Sequence, residues 1–400
     1  MTSTALLDSR RRYRFDRRRP HPRRYRDVPE RFVEGNSVTL LRDGSQALPS
    51  MLEAIEAGAR QILLEMYWFG SDRVGTEFAD ALGRAARRGV QVAVLYDSVG
   101  SLETDASLFN GLRSAGCQVI EVNPLWPWHR RFRLDRLVWR DHRKLLVVDA
   151  SVAFTGGVNL AEPWLPRTQG GLGWRDDMVC LKGPAVAELM ESFLATWSQL
   201  GGAPLEAARP SDALQSAGST RVAVLRNGFG RHRRQIIRAY VMHIYRARER
   251  VWIKNPYFVP DRRVVRALAR AADRGVDVRI LVPLHSDVPL LNAASRAQWS
   301  RLLRRGVRIF EWQGTMLHAK TAVIDRTWST IGTFNLDFRS LLWNLEVNLA
   351  IDSQEIGHTM EMGFLHDLEG AREVDPIAFF GRSFVERGLE WLGYRFRRLL

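Results

Sequence analysis

The feature that most constrains this chain is a polar constellation that occurs twice. "DHRKLLVVDASVAFTGGVN" runs from Asp141 to Asn159, and "LHAKTAVIDRTWSTIGTFN" runs from Leu317 to Asn335. His142, Lys144, Asp149, Gly156 and Asn159 fall at the same spacings as His318, Lys320, Asp325, Gly332 and Asn335. A fold that serves one copy must serve the other, and 400 residues leave room for two units of ordinary size.

The repeat reaches beyond the motifs. "ALGRAARRGVQVAVLYD" (Ala81 to Asp97) parallels "ALARAADRGVDVRILVP" (Ala267 to Pro283). In each, a helical stretch stops at Arg-Gly and a Val-rich strand follows. Upstream, "RQILLEMYWF" and "ERVWIKNPYFVP" read as strands leading into those helices. Alternating strands and helices predict an α/β unit used twice, with mixed sheets flanked by helices. The expected layout is a basic arm over 1–35, a first unit over 36–200, a linker over 201–220 and a second unit over 221–372. A basic C-terminal segment covers 373–400.

Within an extended strand, residues i and i+2 share a face, so His142 with Lys144, and His318 with Lys320, are expected to point together. If the units pack about a pseudo-twofold axis, both pairs meet in one shared active site, with Asn159 and Asn335 arriving from neighbouring strands. The small residues ahead of those asparagines allow close backbone approach. Two imidazoles, two ammoniums and two carboxamides suit a phosphodiester. One neutral imidazole attacks phosphorus and the other, protonated, delivers a proton to the leaving alkoxide. The lysines stabilise charge on the phosphoryl oxygens.

Each histidine also needs an acceptor that fixes its tautomer. Asp176 in "WRDDMVCL" and Glu346 in "NLEVNLAI" are assigned that role, with Asp177 the alternative in the first half. Asp149 and Asp325 complete the repeated set and are counted with the catalytic residues. Their position at the end of an apolar strand equally suits closing a turn by side-chain-to-backbone bonds. The remaining histidines lack repeated partners. No metal-ligand motif and no phosphate-binding Gly-Lys loop is present, so neither metal nor cofactor is expected.

The formal net charge of +15 implies an anionic partner, nucleic acid or an acidic membrane surface. Nearly all of the positive charge is arginine: the only lysines are Lys144, Lys182, Lys254 and Lys320, and two of these belong to the repeated motif. No stretch approaches the roughly 18 consecutive apolar residues of a membrane span. Cys117 and Cys180 sit in strand-like runs and read as buried small hydrophobes. Near the C-terminus, Val385, Leu389, Leu392, Phe396 and Leu399 form one helical face, with Arg387, Arg395, Arg397 and Arg398 around it. Two readings stay open there: a helix packed on the core, or a basic helix lying in a membrane interface. The segment "NPLWPWHRRFRL" (Asn123 to Leu134) likewise reads either as a covered loop or as one that dips into headgroups.

The spacing H-x-K-x(4)-D-x(6)-G-G-x-N, twice in one chain, resembles the signature of the phospholipase D superfamily. The second copy departs at Thr333, where relatives mostly show Ser. Within the superfamily, "WRDDMVCLKGPAV", "NPYFVPD", "MLHAKTAVID" and "IGTFNLDFRSLLWNLEVNLAI" resemble bacterial cardiolipin synthases of the kind without an N-terminal membrane-spanning pair. The resemblance implies two tandem α/β units with one active site at their interface. It also implies transfer of a phosphatidyl group, usually from phosphatidylglycerol, through a phosphohistidine to a second phospholipid or another alcohol. By the same resemblance His142 is the nucleophile, His318 is the acid/base, and Asp337, Arg339, Ser340 and Asn344 shape the pocket. An anionic phospholipid membrane is then the expected partner, at the cytoplasmic face of the bacterial inner membrane and without a transmembrane helix. The rivals are headgroup hydrolysis by a phospholipase D, a nuclease, and a catalytically idle membrane binder. The compact nucleases of the superfamily usually carry one motif and dimerise, which makes nucleic acid the weaker partner.

Overall fold

The computed structural model describes residues 30–129, 131–134, 137–206, 216–228 and 234–397. Most of the expected basic arm lies outside these residues, and a strand already begins at Val33, just ahead of the expected unit boundary.

The first half runs β1 (Val33–Arg42), α1 (Asp43–Ala57), β2 (Gln61–Met66), α2 (Arg73–Arg87), β3 (Gln91–Asp97), α3 (Ala106–Ser114) and β4 (Gln118–Val122). It continues through the short β5 (Arg140–Asp141), then β6 (Leu145–Val148), β7 (Val152–Gly156), β8 (Asp177–Lys182) and α4 (Val186–Gln199). The second half repeats the plan with β9 (Thr220–Asn227), α5 (Gln235–Arg246), β10 (Arg250–Lys254), α6 (Arg262–Asp273), β11 (Asp277–Pro283), α7 (Pro289–Leu303) and β12 (Arg308–Trp312). Then come β13 (Thr321–Ile324), β14 (Trp328–Gly332), α8 (Phe338–Leu342), β15 (Asn344–Asp352), α9 (Gln354–Glu369) and β16 (Ala371–Glu373). Helices α10 (Pro376–Phe380) and α11 (Phe384–Phe396) close the described chain.

The two sheets are joined into one, in the order β16-β12-β11-β10-β13-β14-β15-β9-β1-β8-β7-β6-β2-β3-β4. Outward from the antiparallel β1–β9 pair the order is the same in both directions, apart from β16 at one edge. A twofold relation between the halves therefore passes between β1 and β9. The parallel strands β2, β3 and β4, like β10, β11 and β12, are apolar because helices cover both faces.

Both predicted Arg-Gly stops are helix C-caps. Gly89 and Gly275 take φ of +90° and +84°. That left-handed turn lets the Val90 and Val276 amides reach the Ala85 and Ala271 carbonyls at 3.1 and 3.2 Å. Helices α1–α3 and α5–α7 bury separate cores on the outer layers. On the other face, Leu189 and Phe193 of α4 share one core with Ile356 and Phe364 of α9. That shared core spans both halves and fixes them against each other.

Helix α11 answers the question its sequence left open. Its buried residues are Glu390 and Gly393, not its apolar stripe. Glu390 is held by Arg296 and Arg382 at 3.4 and 2.9 Å, and Gly393 lies against Ala294 of α7. Val385, Leu389, Leu392 and Phe396 are exposed, so α11 packs on α7 through Glu390 and Gly393 and not through its apolar stripe; Arg398 and Leu399 lie outside the described residues.

Candidate active site

The motif segments do not continue their strands as expected. His142 and Lys144 lie in irregular backbone between β5 and β6, and His318 and Lys320 lie in the matching segment before β13. Each segment is stitched to the opposite half. β5 runs parallel to β15, and the His142 amide donates to the Leu345 carbonyl at 3.1 Å. In the mirrored position Leu317 bridges Arg175, and the His318 amide donates to the Arg175 carbonyl at 2.7 Å.

This stitching crosses the orienting pairs. His142 Nδ1 meets Glu346 Oε1 at 3.0 Å, while His318 Nδ1 meets Asp176 Oδ2 at 2.7 Å. A carboxylate on Nδ1 holds the proton there and leaves Nε2 as the ring nitrogen for chemistry. Asp177, the alternative in the first half, instead pairs with Arg175 and Lys254 at 2.7 and 3.0 Å.

Both carboxylates are buried and fully engaged. Asp176 also accepts from Trp164 Nε1 at 2.8 Å and from the Asp177 amide at 2.8 Å. Glu346 accepts from Thr333 at 2.5 Å, Ser340 at 2.7 Å and Asn344 at 3.2 Å. Ser340 and Asn344, expected to shape the pocket, are found holding the acid. Asp337 caps α8 by accepting from the Ser340 amide at 2.7 Å, and burial pushes its carboxyl up to about 7. Arg339 stands half-buried on the same helix.

The lysines are wholly buried, and each turns its ammonium back to the carbonyl of the histidine two residues earlier: Lys144 to His142 at 2.7 Å, Lys320 to His318 at 2.5 Å. Burial, reinforced by Lys320, lowers Lys144 to about 7, and burial lowers Lys320 to about 8. Burial likewise lowers His142 to about 4, against the pull of Glu346, with both lysines adding to the fall. His318 is lowered by burial and by Lys320. Burial tends to raise the Asp176 carboxyl, but His318 and Lys320 outweigh it and hold it at about 2. At neutral pH the resting site therefore has neutral imidazoles and ionised carboxylates beside two lysines whose charged forms burial disfavours until a further negative group arrives. It is built to receive an anion.

Asn159 Oδ1 accepts from the Trp68 amide at 3.1 Å, and Asn335 Oδ1 is buried and finds no hydrogen-bond partner among the described residues. Asp149 and Asp325, counted with the catalytic residues, are elsewhere. Each sits at the far end of its strand from the histidine. Asp149 accepts from the amides of Ala59, Arg60 and Gln61 at 2.8–2.9 Å. Asp325 does the same for Arg248, Glu249 and Arg250. They tie each motif strand to the start of β2 or β10, so the side-chain-to-backbone reading holds, though across the sheet rather than within a turn.

Residues 51–197 and 240–368 match the family described as "Cardiolipin synthase, PLD-like domain". Cardiolipin synthase A of Pseudomonas putida is 35% identical over 92% of this chain and 75% of its own length. A cardiolipin synthase of Geobacillus kaustophilus is 32% identical over 88% and 70%. This chain belongs to the phospholipase D-like cardiolipin synthase family. It is a cardiolipin synthase-like phosphatidyltransferase. The phosphatidylserine synthase of Haemophilus influenzae superposes over 93% of this chain and 95% of its own, with a TM-score of 0.69 at 14% identity, which speaks for the fold.

Within this family member, several supporting residues carried no sequence signal strong enough to name them. Tyr67 packs edge-on to His142 at 4.9 Å, and Trp164 and Trp174 flank His318 at 5.4 and 5.8 Å. Arg143 is clamped by Glu65 and Asp141 at 2.7 and 2.9 Å, fixing the segment that carries His142. Behind His318, Asp367 of α9 gathers Arg42 at 2.6 Å, Arg175 at 2.8 Å and Lys254 at 2.6 Å. The scarcity of lysine was the one clue to Lys254.

Proposed function

We propose that the cleft moves a phosphatidyl group from phosphatidylglycerol to a second phosphatidylglycerol, forming cardiolipin and glycerol. His142 Nε2 attacks phosphorus, a P–N bond forms and the P–O bond to glycerol breaks. His318 gives its Nε2 proton to the departing alkoxide and then takes one from the incoming hydroxyl. That oxygen attacks phosphorus, and His142 is released. Lys144 and Lys320 face the phosphoryl oxygens, and the amides of Asn159 and Asn335 bind beside them.

The observation that carries this reading is the pair of crossed imidazole–carboxylate contacts beside two buried, depressed lysines. A bound phosphodiester neutralises the lysines, which raises His318 and equips it to donate. The net charge of +15 favours an acidic surface, and among the described residues no helix is long and apolar enough to cross a membrane. The enzyme then works peripherally, at the cytoplasmic face of the bacterial inner membrane.

Purified protein is incubated with phosphatidylglycerol vesicles, and the lipids are analysed alongside a His142→Ala control. Cardiolipin and glycerol in equal amounts, absent from the control, support the transfer. Phosphatidic acid alone overturns it in favour of hydrolysis.

A further inference from the structure

An ordinary surface helix turns its apolar stripe inward. Helix α11 does the reverse. Glu390 and Gly393 face the protein, whereas Phe384 is 88% exposed, Val385 73%, Trp391 63% and Leu389 59%. The inversion is built in, because buried ion pairs from Arg296 and Arg382 hold Glu390, and Gly393 brings α11 close to α7. A contiguous apolar stripe of this kind on a soluble surface marks an interaction site. Arg387 and Arg395 are exposed on the same outward arc. Arg397, at the end of the helix, lies 5.2 Å from the ring of Phe338, the first residue of α8.

Helix α8 also leads to the cleft, since its Ser340 binds Glu346. At its other end Trp343 packs on Trp139 at 5.6 Å, in the segment that enters β5. That segment shows the stacked pair Trp126 and Trp128, 54% and 80% exposed, which excludes the covered-loop reading. The exposed stripe of α11 thus reaches, through Arg397 and Phe338, a helix that supports His142 through Glu346.

We infer that α11 docks the protein onto an anionic phospholipid bilayer, lying in the interface plane. Six apolar side chains interleaved with exposed arginines suit that occupant: the rings and aliphatic groups enter the acyl boundary and the guanidiniums meet anionic headgroups. The inference rests on the proposed reaction only for its purpose. Binding is measured in the His142→Ala background, which removes the proposed nucleophile and with it turnover, so either can fail alone.

The full chain is sedimented with vesicles of phosphatidylglycerol and phosphatidylcholine. Leu389→Gln with Trp391→Gln is expected to lower partitioning by at least about tenfold. Because both positions are exposed, the unfolding temperature should stay near that of the parent, which separates lost docking from lost folding. Arg387→Gln with Arg395→Gln is expected to weaken binding to phosphatidylglycerol vesicles and flatten its salt dependence. Unchanged partitioning of the Leu389/Trp391 double variant overturns the proposal. So does self-association through this face, seen as a dimer in sedimentation velocity that the same variant dissolves.

Discussion

Glu346 Oε1 stands 3.0 Å from His142 Nδ1 although 204 positions separate them. Asp176 stands in the same relation to His318, so each imidazole is oriented by the half that does not carry it. Glu346 otherwise receives only donors, from Thr333, Ser340 and Asn344. It therefore presents an acceptor to Nδ1 and commits the lone pair to Nε2. In Glu346→Gln the amide has to set an NH2 among those donors or against the ring, which selects the wrong tautomer. We expect kcat for phosphatidyl transfer to fall by on the order of 10³–10⁴-fold, as when a triad carboxylate is made an amide. Steady-state turnover of the folded variant measures it, and a loss under tenfold rejects the positioning role.

Thr333 occupies the place that Gly157 holds in the first half. A Cβ at Gly157 would collide with the Asp176 carboxylate, so the shorter acid requires the bare backbone. Beside the longer Glu346, Thr333 instead donates its hydroxyl, and the Val347 amide donates to that oxygen at 3.0 Å. Thr333→Val strips a charge-assisted bond of roughly 1.5–3 kcal/mol. We expect kcat/KM to drop about ten- to hundredfold, with Thr333→Ser restoring most of it. Equal activity of the Ser and Val variants would show that the hydroxyl does nothing for His142.

The pH profile follows from burial. As nucleophile, His142 must be neutral, so activity is lost as pH falls through its lowered value of about 4. His318 must carry the proton it gives, and burial and Lys320 lower it, so activity is lost as pH rises through that lowered value, below the value of about 7 at which Lys144 loses its charge. For the free enzyme, kcat/KM should therefore form a bell with its acid limb well below the ordinary histidine value of about 6.5. Bound phosphodiester neutralises the lysines and raises His318, so the alkaline limb of kcat should lie above that of kcat/KM. An acid limb near 6.5 in kcat/KM would contradict the burial argument.

Much of this was legible because the repeat constrains both halves at once. Matching Ala81–Asp97 to Ala267–Pro283 located helix, cap and strand together, since a left-handed cap such as Gly89 or Gly275 leaves a sharp local signal. The same logic found Asp176 and Glu346 by their offset from the motifs. It did not reveal which histidine each one serves, because the crossing is made by β5 beside β15 and by Leu317 beside Arg175, pairings no local pattern encodes. Asp149 and Asp325 mark the limit of that logic. Equal spacing reports equal roles, but a role in binding three backbone amides repeats as faithfully as one in chemistry.

That reassignment is testable. Asp149→Asn retains the shape of the side chain but loses the charge that three amides share. We expect a loss of about 1.5–3 kcal/mol in unfolding free energy by urea titration. The folded fraction should turn over with kcat within about threefold of the parent, given how little a structural bond at the far end of β6 alters the reacting atoms. A large fall in kcat at unchanged stability would return Asp149 to the catalytic set.

Asp367 offers the converse case, a carboxylate on which the two halves depend jointly. Its side chain is fully buried and holds Arg42 and Arg175 from the first half and Lys254 from the second. Burial tends to raise it, but Lys254 and Arg175 outweigh burial and hold it well below the ordinary carboxylate range. A depressed folded value means that its contribution to stability is complete above the unfolded value of about 3.9 and is lost as pH falls toward the folded one. Asp367→Asn leaves buried cations short of a counter-charge. We expect a loss of about 3–5 kcal/mol at neutral pH, with the difference from the parent shrinking as the pH of the urea titration is taken below about 4. A gap that stays constant across that range would mean the cations, not the carboxylate's ionisation, set the stability of the joint.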